Sequence, residues 1–345
     1  MIEHEIWMHR CIQLAKNGKT TAPPNPMVGA VVVCDEHILG EGYHARYGFA
    51  HAEVNALAAV THRALLTRST LYVSLEPCAH YGKTPPCAEL IIRSGIPRVV
   101  VGCVDPFAKV QGRGIQMLRD AGIAVEVGIC EAECVALNRS FFTFHAVHRP
   151  FITLKWAQSA DGFIDHVRTA GSPALLSTSH TTMRVHRLRA EHQAILVGTR
   201  TALLDNPSLT VRHWSGASPL RVVLDRHGVL PRNLRLFDGS IPTLLVGKKG
   251  FPEEVKQLEV FTPPTAGDSL APFMAELYRR GVQSLLVEGG ATLLQRFIEE
   301  ALWDEASVEL SSKVLLSGVS APFLPNGIRC DRTSFFGVNF LHATR

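Results

Sequence analysis

Along this chain, short β-branched runs alternate with stretches of helical period, and Pro, Gly and Asn mark most of the joints. Val28–Val33 is an apolar run set between Pro-Pro-Asn-Pro and Asp-Glu, the signature of a strand. His51–Thr61 carries Ala, Leu and Val at helical spacing. Thr70–Leu75 reads as a strand ending abruptly at Glu76-Pro77-Cys78, and Cys87–Ser94 as a helix closed by Gly95. Arg98–Val104, Gly114–Ala121, Ala124–Val127 and Glu131–Phe144 follow as strand, helix, strand and helix. This alternation predicts an α/β sandwich around a largely parallel sheet.

His145–Pro150 is polar and ends in proline, as a linker does, and a second α/β series starts after it. Phe151–Ala157, Ala194–Val197, Arg221–Leu224, Thr243–Val246, Ser284–Val287 and Ala306–Leu310 read as strands. Thr181–Ala190 reads as a basic helix, and Gly289-Gly290 opens another that runs to about Ala301. The last 25 residues have too little periodicity to place. The expected domains are 1–147 and 148–345.

Length and composition agree with two soluble globular domains: 345 residues, 46% hydrophobic and 19% charged. No apolar run approaches the ~18–20 residues that span a bilayer. The first residues lack a basic segment followed by an apolar one, so the expected location is cytoplasmic, with no membrane partner. The net charge of +4 is dispersed, without a block of Lys and Arg. It suits a small anionic substrate and argues against nucleic acid. Of the eight cysteines, most read as small buried apolar residues. Cys78 and Cys87 differ, because they flank a polar, proline-rich loop.

His51-Ala52-Glu53 at a helix start, then Pro77-Cys78 and Cys87 after a strand, supply one imidazole and two thiols. A catalytic zinc takes three protein ligands and keeps one position open for water. Glu53 lies two residues from His51, close enough to move protons without being a ligand. Order and spacing follow the zinc nucleobase-deaminase signature, except that eight residues rather than two separate the cysteines.

That long insert has a counterpart. Asn25-Pro26-Met27-Val28-Gly29, Gly42-Tyr43-His44, His51-Ala52-Glu53 and the run Glu76-Pro77-Cys78-Ala79-His80-Tyr81-Gly82-Lys83-Thr84-Pro85-Pro86-Cys87 resemble the bifunctional riboflavin-biosynthesis deaminase–reductase family. The resemblance implies a cytidine-deaminase-like three-layer αβα domain followed by a dihydrofolate-reductase-like α/β domain. It implies a pyrimidine substrate bearing a ribosylamino 5′-phosphate, which loses its ring 2-amino group as ammonia. Asn25, His44, His80 and Lys83 would line that pocket, Asn25 at the ring edge and Lys83 at the phosphate. Phe107 stands where the family leads one to expect Asn.

In the second half, a glycine pair at a strand-to-helix turn lets backbone N–H groups approach a phosphate. Ser159-Ala160-Asp161-Gly162, Leu188-Arg189-Ala190-Glu191, the run Val197 to Arg212 and Val287-Glu288-Gly289-Gly290 resemble the reductase half of the same family. The resemblance implies NADPH-dependent reduction of the ribosyl group to a ribityl chain. By position, Ala157, Leu175, Thr201, Asp205 and the turn Gly290, Ala291, Thr292, Leu293, Leu294, Gln295 and Arg296 would meet NADPH. Pro173, Arg189, Leu209, Arg212 and Glu288 would meet the substrate, the arginines because a guanidinium fork suits phosphate. The family's Gly-Glu-Ser-aromatic segment is replaced here by Gly171-Ser172-Pro173-Ala174-Leu175. That departure motivates an alternative, a monofunctional deaminase with a C-terminal binding or oligomerisation module. Domains of this type often pair, so a homo-oligomer is expected.

Overall fold

The computed structural model describes residues 2–81, 85–107, 110–248, 255–263 and 269–345. The chain divides into two compact units, Met1–His148 and Arg149–Arg345.

The first unit is built on a five-stranded sheet of order β2-β1-β3-β4-β5. Its strands are β1 (Gly29–Cys34), β2 (His37–Tyr43), β3 (Thr70–Leu75), β4 (Arg98–Cys103) and β5 (Ala124–Val127). β3, β4 and β5 run parallel, while β1 is antiparallel to both β2 and β3. The helices are α1 (Ile2–Ala15), α2 (Ala52–Ala58), α3 (Cys87–Ser94), α4 (Arg113–Asp120), α5 (Glu131–Leu137) and α6 (Arg139–Val147). Both sheet faces are buried, which is why the strands read as continuous apolar runs. Ala30, Val32, Val99 and Val101 pack with α2, α3 and α4, whereas Val31, Val33, Tyr72 and Val100 pack with Met8 and Cys11 of α1 and Cys134 of α5.

Two boundaries differ from expectation. The helix expected over Glu131–Phe144 is broken at Asn138, whose side chain leaves the helix to bond both the N–H and the carbonyl of Met27 at 2.8 Å. The expected linker is helical through Val147, because Phe141 gives α6 a buried face.

The second unit holds a nine-stranded sheet of order β11-β10-β9-β8-β12-β6-β13-β16-β15. Its strands are β6 (Phe151–Gln158), β8 (Ala194–Val197), β9 (Leu220–Asp225), β10 (Thr243–Gly247), β11 (Leu258–Phe261), β12 (Ser284–Val287), β13 (Glu305–Leu310), β15 (Arg329–Phe335) and β16 (Val338–Thr344). All pairs from β11 to β13 are parallel. The residues that sequence periodicity could not place form the antiparallel hairpin β15–β16, which extends this sheet at β13. β15 is exposed almost throughout, and this explains its weak pattern. A small separate sheet pairs β7 (Phe163–Asp165) with β14 (Val319–Ser320). The helices are α7 (Ser179–Glu191), α8 (Thr199–Asp205), α9 (Ala271–Arg279) and α10 (Ala291–Glu299). Alternate strand residues again feed two cores, Leu196, Val222 and Leu285 on one face and Ile195, Val223 and Leu286 on the other. Among the described residues, no helix is long and apolar enough to cross a membrane.

Candidate active sites

The first site forms where two helices begin. His51 is the extended N-cap of α2, and Glu53 sits in the first turn of that helix. Cys78 follows the end of β3, and Cys87 is the first residue of α3. The sulfurs of Cys78 and Cys87 lie 3.6 and 3.3 Å from His51 Nδ1. All three donor atoms fall within 4.8 Å of one another. A tetrahedral zinc with Zn–S near 2.3 Å and Zn–N near 2.0–2.1 Å sets sulfur and nitrogen ligands about 3.5 Å apart. The donor set therefore fits zinc in both chemistry and spacing.

The thiols also share a proton. The hydrogen bond from Cys87 draws the Cys78 thiol down to about 4 against its burial, with help from His51. The same bond, and then burial, pushes Cys87 up. A divalent cation between them takes the place of that proton. The Cys87 backbone N–H donates to Cys78 Sγ at 3.3 Å, so the helix N-terminus itself favours thiolate.

Glu53 is 3% exposed, and burial pushes its carboxyl up to about 7. It lines a cavity of about 430 Å³ together with Asn25, His44, His51, Cys78 and His80. His44 packs edge-on against His51 with ring centroids 5.3 Å apart. Its Nδ1 faces the Ala50 carbonyl at 3.1 Å and donates to it, which leaves Nε2 to accept from the Asn25 amide at 3.1 Å. The Asn25 amide orientation is thereby fixed. Burial lowers the His44 pKa and keeps it neutral for this task. Lys83 lies outside the described residues.

Sequence reasoning assigned no role to several groups here. Glu76 accepts from the N–H groups of Asp105, Gly112, Gly114 and Ile115 at 2.9–3.3 Å, pinning the α4 entry to the end of β3. Gly114 has no room for a Cβ, which would meet the Pro77 carbonyl at 1.9 Å. Asp105 lines the cavity, and burial raises it to about 7. Its signal was available, since it follows the end of β4, parallel to β3, and ligands gather at carboxyl ends of parallel strands. Phe107 joins an aromatic wall, with ring centroids 4.9 Å from His145 and 6.2 Å from His80.

The second site is a cavity of about 840 Å³ lined by Ala157, Pro173, Leu175, Thr201, Asp205 and Glu288, and by Gly290, Ala291, Thr292, Leu293 and Arg296. Gly289 lets β12 approach α8, because an added Cβ would meet Leu293 at 2.7 Å and the Gly198 nitrogen at 3.0 Å. The Gly290 N–H donates to Thr201 Oγ1 at 2.9 Å, and an added Cβ there would meet only that hydroxyl, at 3.3 Å. The turn is thus an open cradle at the start of α10, suited to a dinucleotide phosphate.

Arg189, Leu209, Arg212, Leu294 and Gln295, also expected at a binding site, are not among the residues that line this cavity. Leu294 is fully buried in the core. Gln295 accepts from the Phe323 N–H at 2.9 Å, on a neighbouring depression. Leu209 is buried at a positive φ of 51°. Arg212 is bonded to the hydroxyls of Ser208 and Thr210. Arg189 grips Glu288 bidentately at 2.7 and 2.9 Å and reaches the Thr210 carbonyl at 3.2 Å. Burial pushes Glu288 up, but the Arg189 charge and hydrogen bonds overturn this and hold it below the usual carboxylate range. Leu175 is 75% exposed.

Sequence reasoning assigned no role to Lys155 or Arg168, which line the cavity. Lys155 lies two residues before Ala157 on β6, so strand alternation puts it on the same face. Its charge also acts on Glu288. Arg168 bridges Asp165 and Asp205, which occupies the Asp205 carboxylate.

Residues 1–103 match the family described as Cytidine and deoxycytidylate deaminase zinc-binding region, and residues 150–327 match the RibD C-terminal domain. The chain is 40% identical to the riboflavin biosynthesis protein RibD of Aquifex aeolicus over 318 residues, covering 91% of this chain and 88% of that protein. It is 35% identical to RibD of Escherichia coli over 336 residues, covering 91% and 89%. Acinetobacter baumannii RibD superposes with a TM-score of 0.89 at 33% identity, covering 99% of this chain and 98% of that one. A diaminohydroxyphosphoribosylaminopyrimidine deaminase/5-amino-6-(5-phosphoribosylamino)uracil reductase from Thermotoga maritima superposes with a TM-score of 0.88 at 34% identity and the same coverage. Both halves are present, which favours the bifunctional reading over the monofunctional one, with zinc serving the first half and NADPH the second. The chain belongs to the RibD family of bifunctional riboflavin-biosynthesis deaminase–reductases.

Proposed function

We propose that the first unit deaminates 2,5-diamino-6-ribosylamino-4(3H)-pyrimidinone 5′-phosphate, and that the second unit reduces the ribosyl group of the product to ribityl with NADPH. The observation that carries the reading is the convergence of His51 Nδ1 and the two sulfurs at the edge of a cavity that His51, Cys78 and a buried carboxyl, Glu53, line. His51, Cys78 and Cys87 would hold zinc, whose Lewis acidity lowers the pKa of water toward 7.

In deamination the water oxygen bonds to ring C2 and the C2–NH2 bond breaks, leaving a carbonyl and ammonia. Glu53 takes the proton from water and delivers it to the departing nitrogen. A carboxyl near 7 can do both at neutral pH. Asn25, oriented by His44, presents its amide to the ring edge. His80 closes one wall, and Lys83 is assigned to the phosphate.

In the second unit Gly290, Ala291, Thr292, Leu293 and Arg296 at the start of α10, with Thr201 and Ala157, would bind NADPH, which would supply the hydride. The Arg189 fork is committed to Glu288. Its role is to keep Glu288 ionised toward the sugar hydroxyls, beside the Lys155 ammonium. Arg212 then provides the guanidinium for the substrate phosphate. Pro173 and Leu175 form an apolar lip where the family carries polar and aromatic groups. The dispersed charge suits a cytoplasmic enzyme of small molecules that does not engage nucleic acid. The exposed edge strand β15 suits a homo-oligomer.

The test is to supply the purified chain with the aminopyrimidine phosphate and NADPH and to identify products by mass. A gain of about 1 Da is expected without NADPH, from exchange of NH2 for carbonyl oxygen, and a further 2 Da with it. Chelation should stop ammonia release and spare NADPH oxidation on the deaminated compound. Ammonia release that survives complete zinc removal would refute the metal assignment.

A further inference from the structure

We infer that the first unit carries a second divalent-cation site on its surface, built by His9 of α1 with Cys130 and Glu133 at the start of α5, and that it takes a borderline cation such as Zn2+. His9 Nε2 lies 3.2 and 3.1 Å from the two Glu133 oxygens and 3.8 Å from Cys130 Sγ. All three donor atoms lie within 4.8 Å of one another. Around a tetrahedral zinc, nitrogen and oxygen ligands stand about 3.3 Å apart and nitrogen and sulfur about 3.5 Å, so both distances from the imidazole nitrogen already lie within a few tenths of an ångström of that geometry.

The convergence itself asks for a cation. A carboxylate and a sulfur approach the same imidazole nitrogen, and that atom carries at most one proton. One hydrogen bond satisfies one of the two, whereas an ion between the three groups satisfies all of them. Glu5 lies one helical turn before His9 on the same face, and its charge acts on the Cys130 thiol, so a fourth donor is nearby. The side chains of His9 and Glu133 are 52% and 58% exposed, which leaves water free to complete the shell.

Sulfur and imidazole select Zn2+ or Co2+ over Mg2+ and Ca2+, which want oxygen. The ion would tie α1 to α5, two helices packed on one face of the sheet. With one sulfur instead of two and open to solvent, this site fills after the catalytic one and releases its ion sooner.

The experiment is calorimetric titration of holoenzyme, already holding one zinc per chain, with ZnCl2 in a buffer containing excess Mg2+. A second equivalent should bind. His9→Ala and Cys130→Ser should each weaken it at least tenfold, with deaminase kcat and the thermal unfolding of the one-zinc form unchanged. Glu133→Gln, which keeps the size of the side chain and its place on the helix, should weaken it as well. Saturation at one equivalent, or a second equivalent that persists with equal affinity in the three variants, overturns the site.

Discussion

In the first unit, the groups that face one another come from three short stretches, each anchored at a helix start or strand end: His51 to Glu53, Cys78 and Cys87. In the second, the cavity draws on β6, the loop after β7, α8, the residues after β12 and the start of α10, with lining residues scattered from Lys155 to Val319. The first arrangement would tolerate little change, because the zinc ligation proposed for it fixes donor types and spacing. The second is held by ion pairs and backbone approach, and several side chains can change while the cavity persists. The lip at Pro173 and Leu175 is an instance. The difference teaches that a ligand set concentrates function in few residues, whereas a dinucleotide cleft spreads it over a surface.

The largest test of this contrast is Glu53→Gln. It should lower ammonia release by about 10²–10⁴-fold, the range for loss of a general acid–base. NADPH oxidation on the deaminated substrate should stay at the wild-type rate. A parallel fall in both rates would show that the two sites are not independent.

Arg189→Met strikes at the scaffold of the second site. It leaves Glu288 buried without its partner, a change that costs about 3–5 kcal/mol. Unfolding of the second unit should move to lower temperature, and the double variant Arg189→Met/Glu288→Leu should recover much of the loss. Reductase activity would fall in both variants, so stability and chemistry can be separated.

Acid sharpens the same point. Glu288 has a folded pKa below its unfolded value, so its contribution to stability is fully present above the ordinary carboxylate range. That contribution is lost as pH falls through the lowered folded value. Chemical denaturation of the wild type should therefore weaken below about pH 4, and less so in the double variant.

The smallest effect is expected at Phe107→Asn, which removes one ring from the wall with His145 and His80. A loss of about 1 kcal/mol in substrate binding should appear in KM rather than kcat. A large drop in kcat would place Phe107 among the reacting groups.

Much of this was legible in the residue order. Thr70–Leu75, Cys87–Ser94, Ala124–Val127, Ala194–Val197 and Ser284–Val287 stand where apolar period and punctuation put them, because these elements are buried or cleanly capped. Gly95 closes α3 at a φ of 74°, the left-handed turn that glycine permits. β2 and the β15–β16 hairpin were not legible. β2 is only partly buried and includes two glycines, Gly40 and Gly42, that lie against α2. β15 is exposed and owes its place to pairing with β16, not to its own pattern.

The sequence alone determined the local chemistry: which side chains can ligate or move a proton, and which stretches begin helices or end strands. These depend on neighbours a few residues apart. Tertiary structure alone decided that Phe107 and His145 enter the first cavity, that Arg168 enters the second, and that Arg189 grips Glu288. Such contacts join residues up to 99 positions apart, and their energies come from burial and charge that exist only once strands are ordered in a sheet.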